Sequence, residues 1–327
     1  MSHKFCIAPM IDVTNRHCRF FFRKFSKHAR LYTEMIVANA IIRGDRDKLL
    51  SFKQISNPIT LQIGGSNPNE LAEACKISED YGYKEINLNL GCPSKKVQKN
   101  KFGACLMQEP HLVGRCIEAM AKATKLPITI KTRIGYNDIE NFEFLKSFIK
   151  TTKDAGSKKF IIHARKALLK KLSPKENLNI PPLKYEFVYN LKKHFKNDEI
   201  IINGGIKSTD DIKEHLLKVD GTMIGRAIYH SPYFLAEIEK EIFNNKEVPT
   251  RSEVMENLIP YIQEQTSKGI QLNHIMRHTV GLFHGQNGSR TWKQYLSKNM
   301  CIRDADLQKV NHIMDQVKKT NPVSLER

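Results

Sequence analysis

Short apolar runs recur along the first two thirds of the chain, each followed by a longer segment of helical periodicity. Phe5-Cys6-Ile7-Ala8-Pro9-Met10 is the first such run, and Pro9 ends it. Residues 31–35, 59–63, 86–90, 128–131, 159–163, 199–203 and 221–225 repeat the pattern. Runs this short, bounded by Gly, Pro or Asn, read as buried strands. Between them, residues 68–79, 110–124, 141–154, 185–195 and 209–217 place apolar positions at helical spacing. Asn67 with Pro68, and Ser208 or Thr209, are start signals for two of these helices. Asp12 or Thr14 is the expected cap of the helix after the first strand. That helix offers Cys18, Phe21, Phe22 and Phe25 to a core, and Arg19, Arg23, Lys24 and Lys27 to solvent.

Strands alternating with helices predict a parallel α/β fold. Eight units within roughly 230 residues favour a closed TIM (β/α)8 barrel over an open sheet. An open doubly wound sheet would carry a Gly-x-Gly-x-x-Gly turn after its first strand, and none stands there. After residue 245 the rhythm changes. Residues 252–268, 272–283, 289–299 and 304–319 read as helices with no strand among them. The expectation is a barrel domain over residues 1–245 and a C-terminal all-helical domain over 246–327.

Composition adds a partner. The 327 residues carry a formal net charge of +19, and 40% are hydrophobic. The apolar share suffices for a large core and excludes global disorder. The positive excess points to a polyanion, nucleic acid foremost. The seven cysteines form no C-x-x-C pair, which argues against a zinc or iron–sulfur site and against a disulfide framework. No metal is expected. The first strand follows the N-terminus almost at once, and no apolar run is long enough to span a bilayer. These features predict a soluble cytoplasmic protein that touches no membrane.

The candidate chemistry gathers at the carboxyl ends of the strands, where barrels of this kind place their active sites. Those ends are Pro9-Met10, Gln62, Asn89 with Cys92, Lys131, His163, Asn203-Gly204-Gly205 and Gly225-Arg226. Singly, each has an ordinary structural role open to it. Jointly, polar groups from different strands at one barrel face point to a site. Cys92 is fixed between Gly91 and Pro93 on a tight loop, where a thiol serves as proton donor or nucleophile. Gly204-Gly205 and Gly225-Arg226 follow the seventh and eighth strands, where such barrels often bind phosphate. A phosphorylated cofactor across the barrel mouth is expected. The long loop 164–182, with Ser173-Pro174-Lys175-Glu176-Asn177, has the length of a functional segment.

In chain order the motifs include Ala8-Pro9-Met10, Tyr32-Thr33-Glu34-Met35 and Leu61-Gln62-Ile63-Gly64-Gly65. Asn87-Leu88-Asn89-Leu90-Gly91-Cys92-Pro93-Ser94, Phe102-Gly103-Ala104-Cys105-Leu106-Met107 and Ile130-Lys131-Thr132-Arg133 follow. Ile161-Ile162-His163-Ala164-Arg165-Lys166, Ser173-Pro174-Lys175-Glu176-Asn177, Asn203-Gly204-Gly205-Ile206 and Gly225-Arg226 complete the barrel. Leu282-Phe283-His284-Gly285, Arg290, Trp292 and Tyr295 extend the set. In these the chain resembles the tRNA-dihydrouridine synthases, specifically their A subfamily. The resemblance implies reduction of uridine to 5,6-dihydrouridine in tRNA, at positions 20 and 20a of the D-loop, with FMN bound and NADPH as hydride source. It implies FMN contacts from Pro9, Met10, Ile11, Gln62, Lys131, His163, Asn203, Gly204, Gly205, Gly225 and Arg226. It implies Cys92 as the proton donor, and tRNA contacts from Asn89, Lys101, Lys175, Leu178, Arg290 and Lys293. Leu178 stands where the subfamily is expected to place a basic residue, and Lys293 where it usually has Arg. Arg19, Arg23, Lys95, Lys96, Lys99, Arg165, Lys166, Lys170 and Lys171 are further candidates for a basic tRNA-facing surface, and the protein is expected to be a monomer. Two other readings fit parts of the sequence. One is an FMN barrel oxidoreductase acting on a free metabolite such as dihydroorotate or an enone; the other is a non-catalytic RNA-binding protein on a barrel scaffold.

Overall fold

Eight short runs of largely buried residues pair side by side in parallel and close on themselves. The strands are β1 (Phe5–Ile7), β2 (Arg30–Val37), β3 (Ile59–Gly64), β4 (Glu85–Leu90), β5 (Ile128–Arg133), β6 (Lys159–His163), β7 (Glu199–Asn203) and β8 (Gly221–Ile224). They are hydrogen-bonded in sequence order, and β8 returns to β1, closing the barrel. This computed structural model describes residues 3–170 and 172–299. The expected TIM barrel is therefore present, each strand within a few residues of its predicted place.

Strands of a closed parallel barrel are covered on both faces. Ile86, Leu88 and Leu90 of β4 face one way, and Glu85, Asn87 and Asn89 the other, yet all six are buried. Cys6, Ala8, Tyr32, Ile161, Ile201 and Met223 form an apolar cluster contributed by five of the strands and the residue after β1. The helices Pro68–Ser78, Pro110–Ala123, Phe142–Asp154, Tyr185–His194 and Thr209–Leu216 sit where periodicity placed them. Asn67 caps the first of these through its side chain, and Ser208 forms a capping box with Asp211 on the last.

The chain groups into two compact units: residues up to Asp12 with Ala29–Ile224, and Val13–His28 with the residues from Gly225 onward. The first unit holds all eight strands. The sequence rhythm places the change at residue 245 instead, because it registers the end of strand alternation and not which helices pack together. Within the second unit, Phe20 of the helix Arg16–Phe22 stacks on Tyr261 at 3.8 Å between ring centroids, and His17 Nδ1 lies 2.7 Å from the Tyr261 hydroxyl. Glu239 receives the Ser26 hydroxyl and the His28 backbone N–H. These contacts hold residues 13–28 to helices far along the chain.

Several local expectations change. The cap of Arg16–Phe22 is Asn15, whose side chain accepts from His17 N and Cys18 N, not Asp12 or Thr14. Arg19 is buried and donates to the Thr14 carbonyl, and Arg23 is half-buried and donates to the Ser26 carbonyl. Those two arginines shape the turn around their own helix, so they leave the candidate tRNA surface. The helix expected over 252–268 is two, Arg251–Glu256 and Ile259–Ser267, with Pro260 in the first turn of the second. Pro is tolerated there because the first N–H groups of a helix have no internal partner. In place of a helix over 272–283 stand Asn273–Met276 and a short 3-10 turn, Arg277–Thr279. The helix Ser289–Asn299 is as expected. The helix expected over 304–319 lies outside the described residues. Among the described residues, no helix is long and apolar enough to cross a membrane.

Candidate active site at the barrel mouth

Strand register carries the strand-end residues to one rim. Gln62 pairs with Asn87, Asn89 with Lys131, Arg133 with His163, and His163 with Asn203. Partners in register lie at the same height in a parallel ladder. Thus Gln62, Asn89, Lys131, His163 and Asn203 come from five neighbouring strands to adjacent levels of the carboxyl end. Pro9 and Met10, half-buried, and Ile11, exposed, follow β1 at that end.

The side chains lock one another. Lys131 Nζ donates to Asn203 Oδ1 at 2.9 Å, and Asn203 Nδ2 donates to the Met223 carbonyl at 2.8 Å. Asn89 Nδ2 donates to Gln62 Oε1 at 2.8 Å. Asn89 Oδ1 turns outward and accepts the backbone N–H groups of Gly91, at 3.1 Å, and Cys92, at 3.0 Å. Cys92 is held on its other side as well. Its carbonyl accepts Ala104 N at 2.9 Å, and the preceding Gly91 carbonyl accepts Arg133 Nε at 2.9 Å. Gly103 has φ +76° and leaves no room for a side chain: a Cβ would stand 2.7 Å from the Cys92 carbonyl oxygen and 2.6 Å from Val97. That glycine permits the loop contact.

Electrostatics suits a proton donor. Burial raises the Cys92 thiol above its ordinary value, with the Ser94 backbone, Arg133 and Lys131 opposing. The thiol therefore stays protonated at neutral pH. Burial, with Arg133 adding repulsion, lowers the Lys131 ammonium to about 7, and Cys92 opposes that shift. Among the described residues, no carboxylate forms an ion pair with Lys131 or Arg133. Cations held this way, at a mouth with no acid beside them, suit an electron-rich or anionic ligand.

Gly204 and Gly205 follow β7 with φ +118° and +78°. At Gly204 a Cβ would come 2.8 Å from the His163 ring. The backbone turns here close against the imidazole, and Tyr185 donates its hydroxyl to the Gly204 carbonyl at 2.9 Å. The donor set of amide, ammonium, imidazole and bare backbone fits an isoalloxazine edge and its phosphate tail. Gly225 and Arg226 belong to the second compact unit, where Gly225 precedes the helix Arg226–His230 and Arg226 is exposed.

The residues expected at tRNA divide by exposure. Asn89 is buried in the hydrogen bonding just described. Lys101 is exposed at φ +56°, after the helix Lys95–Lys99, which itself exposes Lys95, Lys96 and Lys99. Lys175 is exposed and Leu178 half-buried on the loop 164–182. That loop is anchored by Asn177, fully buried, whose Nδ2 reaches the Leu168, Leu172 and Ser173 carbonyls while its Oδ1 accepts Leu168 N. Arg165 donates to the Asn179 and Pro181 carbonyls, and Lys166 pairs with Glu140 at 3.3 Å. Lys170 is exposed; Lys171 lies outside the described residues. Arg290 and Lys293 are exposed on the helix Ser289–Asn299.

Arg133, Asn87 and Thr129 are absent from the expected site. Arg133 is buried and joins the Cys92 loop to the loop 164–182, donating to the Gly91, Lys166 and Asn177 carbonyls. Strand alternation puts Asn87 and Thr129 on the strand faces of Asn89 and Lys131 respectively, but does not by itself tell an interior face from a solvated one.

The family model described as "Dihydrouridine synthase (Dus)" matches residues 6–318 of the chain. A curated protein of Pasteurella multocida, "tRNA-dihydrouridine(20/20a) synthase", is 47% identical over 315 residues, covering 96% of both chains. Proteins of the same description from Haemophilus ducreyi and Synechocystis are similar too. The first is 49% identical and covers 95% of this chain and 96% of its own. The second is 48% identical and covers 91% of this chain and 90% of its own.

Proposed function

The chain belongs to the dihydrouridine synthase family, and from that premise we propose that it reduces uridine to 5,6-dihydrouridine at positions 20 and 20a of tRNA. The observation that carries the chemistry is Cys92: a thiol kept protonated by burial, on a loop clamped from both sides, next to the cations of the mouth. When bound, FMN, with NADPH as the electron source, would supply the hydride for C6 of the uracil. Cys92 supplies the proton at C5 from its Sγ, so the two hydrogens of the product come from opposite partners. Lys131 and Arg133 ease the transient thiolate, since both lower the Cys92 pKa. Solvent then returns the proton.

Gln62, Lys131, His163, Asn203, Gly204 and Gly205 would hold the flavin, with Pro9, Met10 and Ile11 after β1. The Lys131–Asn203 hydrogen bond keeps the ammonium aimed before any ligand arrives. A uridine stacked inside tRNA must leave its stack to reach a thiol at a barrel mouth. The +19 charge favours the polyanionic substrate over a free metabolite. Asn89, Lys101, Lys175, Leu178, Arg290 and Lys293 supply the tRNA contacts, residues 246–327 forming a tRNA-gripping domain. The protein works as a cytoplasmic monomer.

The test is dihydrouridine formation in unmodified tRNA, mapped by position. Cys92→Ala is expected to retain flavin and lose activity by about 10²–10⁴-fold. Full activity in that variant would overturn the acid role. Equal turnover of free uridine would overturn the substrate.

A further inference from the structure

The inner face of β4 is polar along its whole length, and the floor carboxylate at one end is hydrogen-bonded, through side chains, to the Cys92 loop at the other. Glu85, Asn87 and Asn89 are all buried there. Asn89 Oδ1 accepts the Cys92 N–H at 3.0 Å, and Asn89 Nδ2 donates to Gln62 Oε1 at 2.8 Å. Gln62 Nε2 donates to Asn87 Oδ1 at 2.8 Å, and Asn87 Nδ2 donates to Thr129 Oγ1 at 2.9 Å. The Thr129 hydroxyl donates to Glu85 Oε1 at 3.0 Å.

Chemistry fixes the direction of this chain from both ends. An ionised carboxylate only accepts, so Thr129 must donate to Glu85 and accept from Asn87. That forces the Asn87 amide nitrogen toward Thr129 and its oxygen toward Gln62. A backbone N–H only donates, so Asn89 must show its oxygen to Cys92 and its nitrogen to Gln62. Gln62 can then only accept from Asn89 and donate to Asn87. The two constraints meet at Gln62 without conflict. Each link points its donor toward the anion, an arrangement in which hydrogen bonds strengthen one another.

We propose that Asn87 and Thr129 are positioning residues, which set the orientation of Asn89 and so of the Cys92 loop from inside the barrel, anchored on Glu85. The proposal rests on Cys92 being the proton donor only for its effect on turnover; its effect on the loop stands by itself. Without the Thr129 hydroxyl the buried Asn87 amide nitrogen loses its acceptor, and the chain loses its anchor on Glu85. Asn87 and Gln62 are then held in their sense only from the Asn89 end, and where the pair flips Gln62 offers Asn89 a nitrogen in place of the oxygen it needs. In that flipped arrangement Asn89 turns its own oxygen inward, and the N–H groups of Gly91 and Cys92 lose their acceptor.

The experiment compares Thr129→Val, which keeps the shape and deletes the hydroxyl, with Thr129→Ser, which keeps the hydroxyl. Ile130→Val, trimming the neighbouring residue on the opposite face, controls for lost stability. Two quantities are read on the flavin-loaded protein. One is the rate of Cys92 alkylation by iodoacetamide, resolved by peptide mapping with partly exposed Cys105 as internal reference. The other is kcat and KM on unmodified tRNA. Thr129→Val is expected to raise the Cys92 alkylation rate several-fold relative to Cys105. It is also expected to lower kcat about 10-fold with little change in KM, the scale of a small misplacement of a reacting group. Thr129→Ser and Ile130→Val are expected to stay near wild type in both. Unchanged alkylation and kcat in Thr129→Val overturns the proposal, as does an equal effect in all three variants. Faster alkylation in Thr129→Val, in a protein whose Cys92→Ala form remains active, upholds the positioning chain and removes the acid role instead.

Discussion

At the amino-terminal end of the barrel, the His3 imidazole lies 2.8 Å from Glu85 and 3.0 Å from Glu199, and Lys159 lies 3.3 Å from Glu199. Arg30 and Lys159 each stand 3.8 Å from Glu85, whose other oxygen takes the Thr129 hydroxyl. At the carboxyl end, among the described residues, Lys131 and Arg133 are held by neutral oxygens alone: the Asn203 amide for one, three backbone carbonyls for the other. One barrel thus carries acids and bases into contact at one end and, among the described residues, β5 cations without acids at the other. Opposite charges that neutralise each other inside a protein serve its architecture. A buried cation paired only with neutral oxygens leaves its charge for a ligand, and the fold bears the desolvation. On the proposed function, the difference separates the residues that hold the barrel from those that would work at it.

The largest expected effect breaks the mouth. Lys131→Met should lower kcat/KM for tRNA by about 10²-fold, the scale of removing one preorganised electrostatic donor. Stability should move the other way. The folded-state pKa is lowered to about 7 from 10.5, so between those values the unfolded chain binds a proton that the folded chain releases. The cost to folding is fully present below pH 7 and fades as pH rises toward 10.5. Lys131→Met should therefore raise the melting temperature at pH 6, with a gain that shrinks at higher pH. A variant both inactive and less stable at pH 6 would place Lys131 among the structural charges.

A smaller effect tests the floor. For Glu199, burial opposes ionisation, but His3 and Lys159 outweigh it and lower the carboxyl to about 2 from 4.5. The folded-state pKa is depressed, so its contribution is present above pH 4.5 and is lost as pH falls through 2. Glu199→Gln should cost about 1.5–3 kcal/mol at neutral pH, the range for hydrogen bonds to a charged group. Its deficit against wild type should close on acidification. Urea unfolding at pH 7 and pH 3 reads both, and kcat on tRNA should stay near wild type. A loss of turnover larger than the loss of stability would erase the distinction between the two ends.

The mouth was far more legible in the sequence than the floor. A strand end is marked by the residue that breaks it, and barrel geometry turns every such mark into a candidate; Gln62, Lys131, His163 and Asn203 all surfaced that way. Glu85 and Asn87 did not, because alternation of polar with apolar residues normally means one wet face. In a closed barrel the second face is interior, and a polar residue there requires partners on other strands that no local pattern reveals. Glu85 meets His3, Arg30 and Thr129, from segments distant in sequence. Arg19 misled for a related reason. Helical spacing placed it outward, while the turn before its helix offered the Thr14 carbonyl to a buried guanidinium. The break at Pro260 was visible as a residue but not as a boundary, since Pro is compatible with the first turn of a helix and with a kink inside one.

The smallest expected effect concerns charges that neither end uses. On the helix Ser289–Asn299, Trp292 is fully buried, meets Phe283 edge-on at 5.3 Å, and donates its indole N–H to the Thr279 carbonyl at 2.9 Å. Leu296, one turn on, is buried too. These two residues fix which face of the helix is covered and leave Arg290 and Lys293 exposed, three residues apart on another face. Exposed side chains so placed contribute little to folding, so Arg290→Ala and Lys293→Ala should each change stability by less than about 0.5 kcal/mol. If they grip phosphate, each should raise the KM for tRNA a few-fold, leave kcat intact, and reduce the salt dependence of tRNA affinity by about one unit of slope. Arg290→Ala should exceed Lys293→Ala, because a guanidinium meets phosphate with two parallel donors and an ammonium with one point of charge. An unaltered salt slope in the double variant would show that tRNA is held elsewhere, and would return these two residues to the class of ordinary solvated charges.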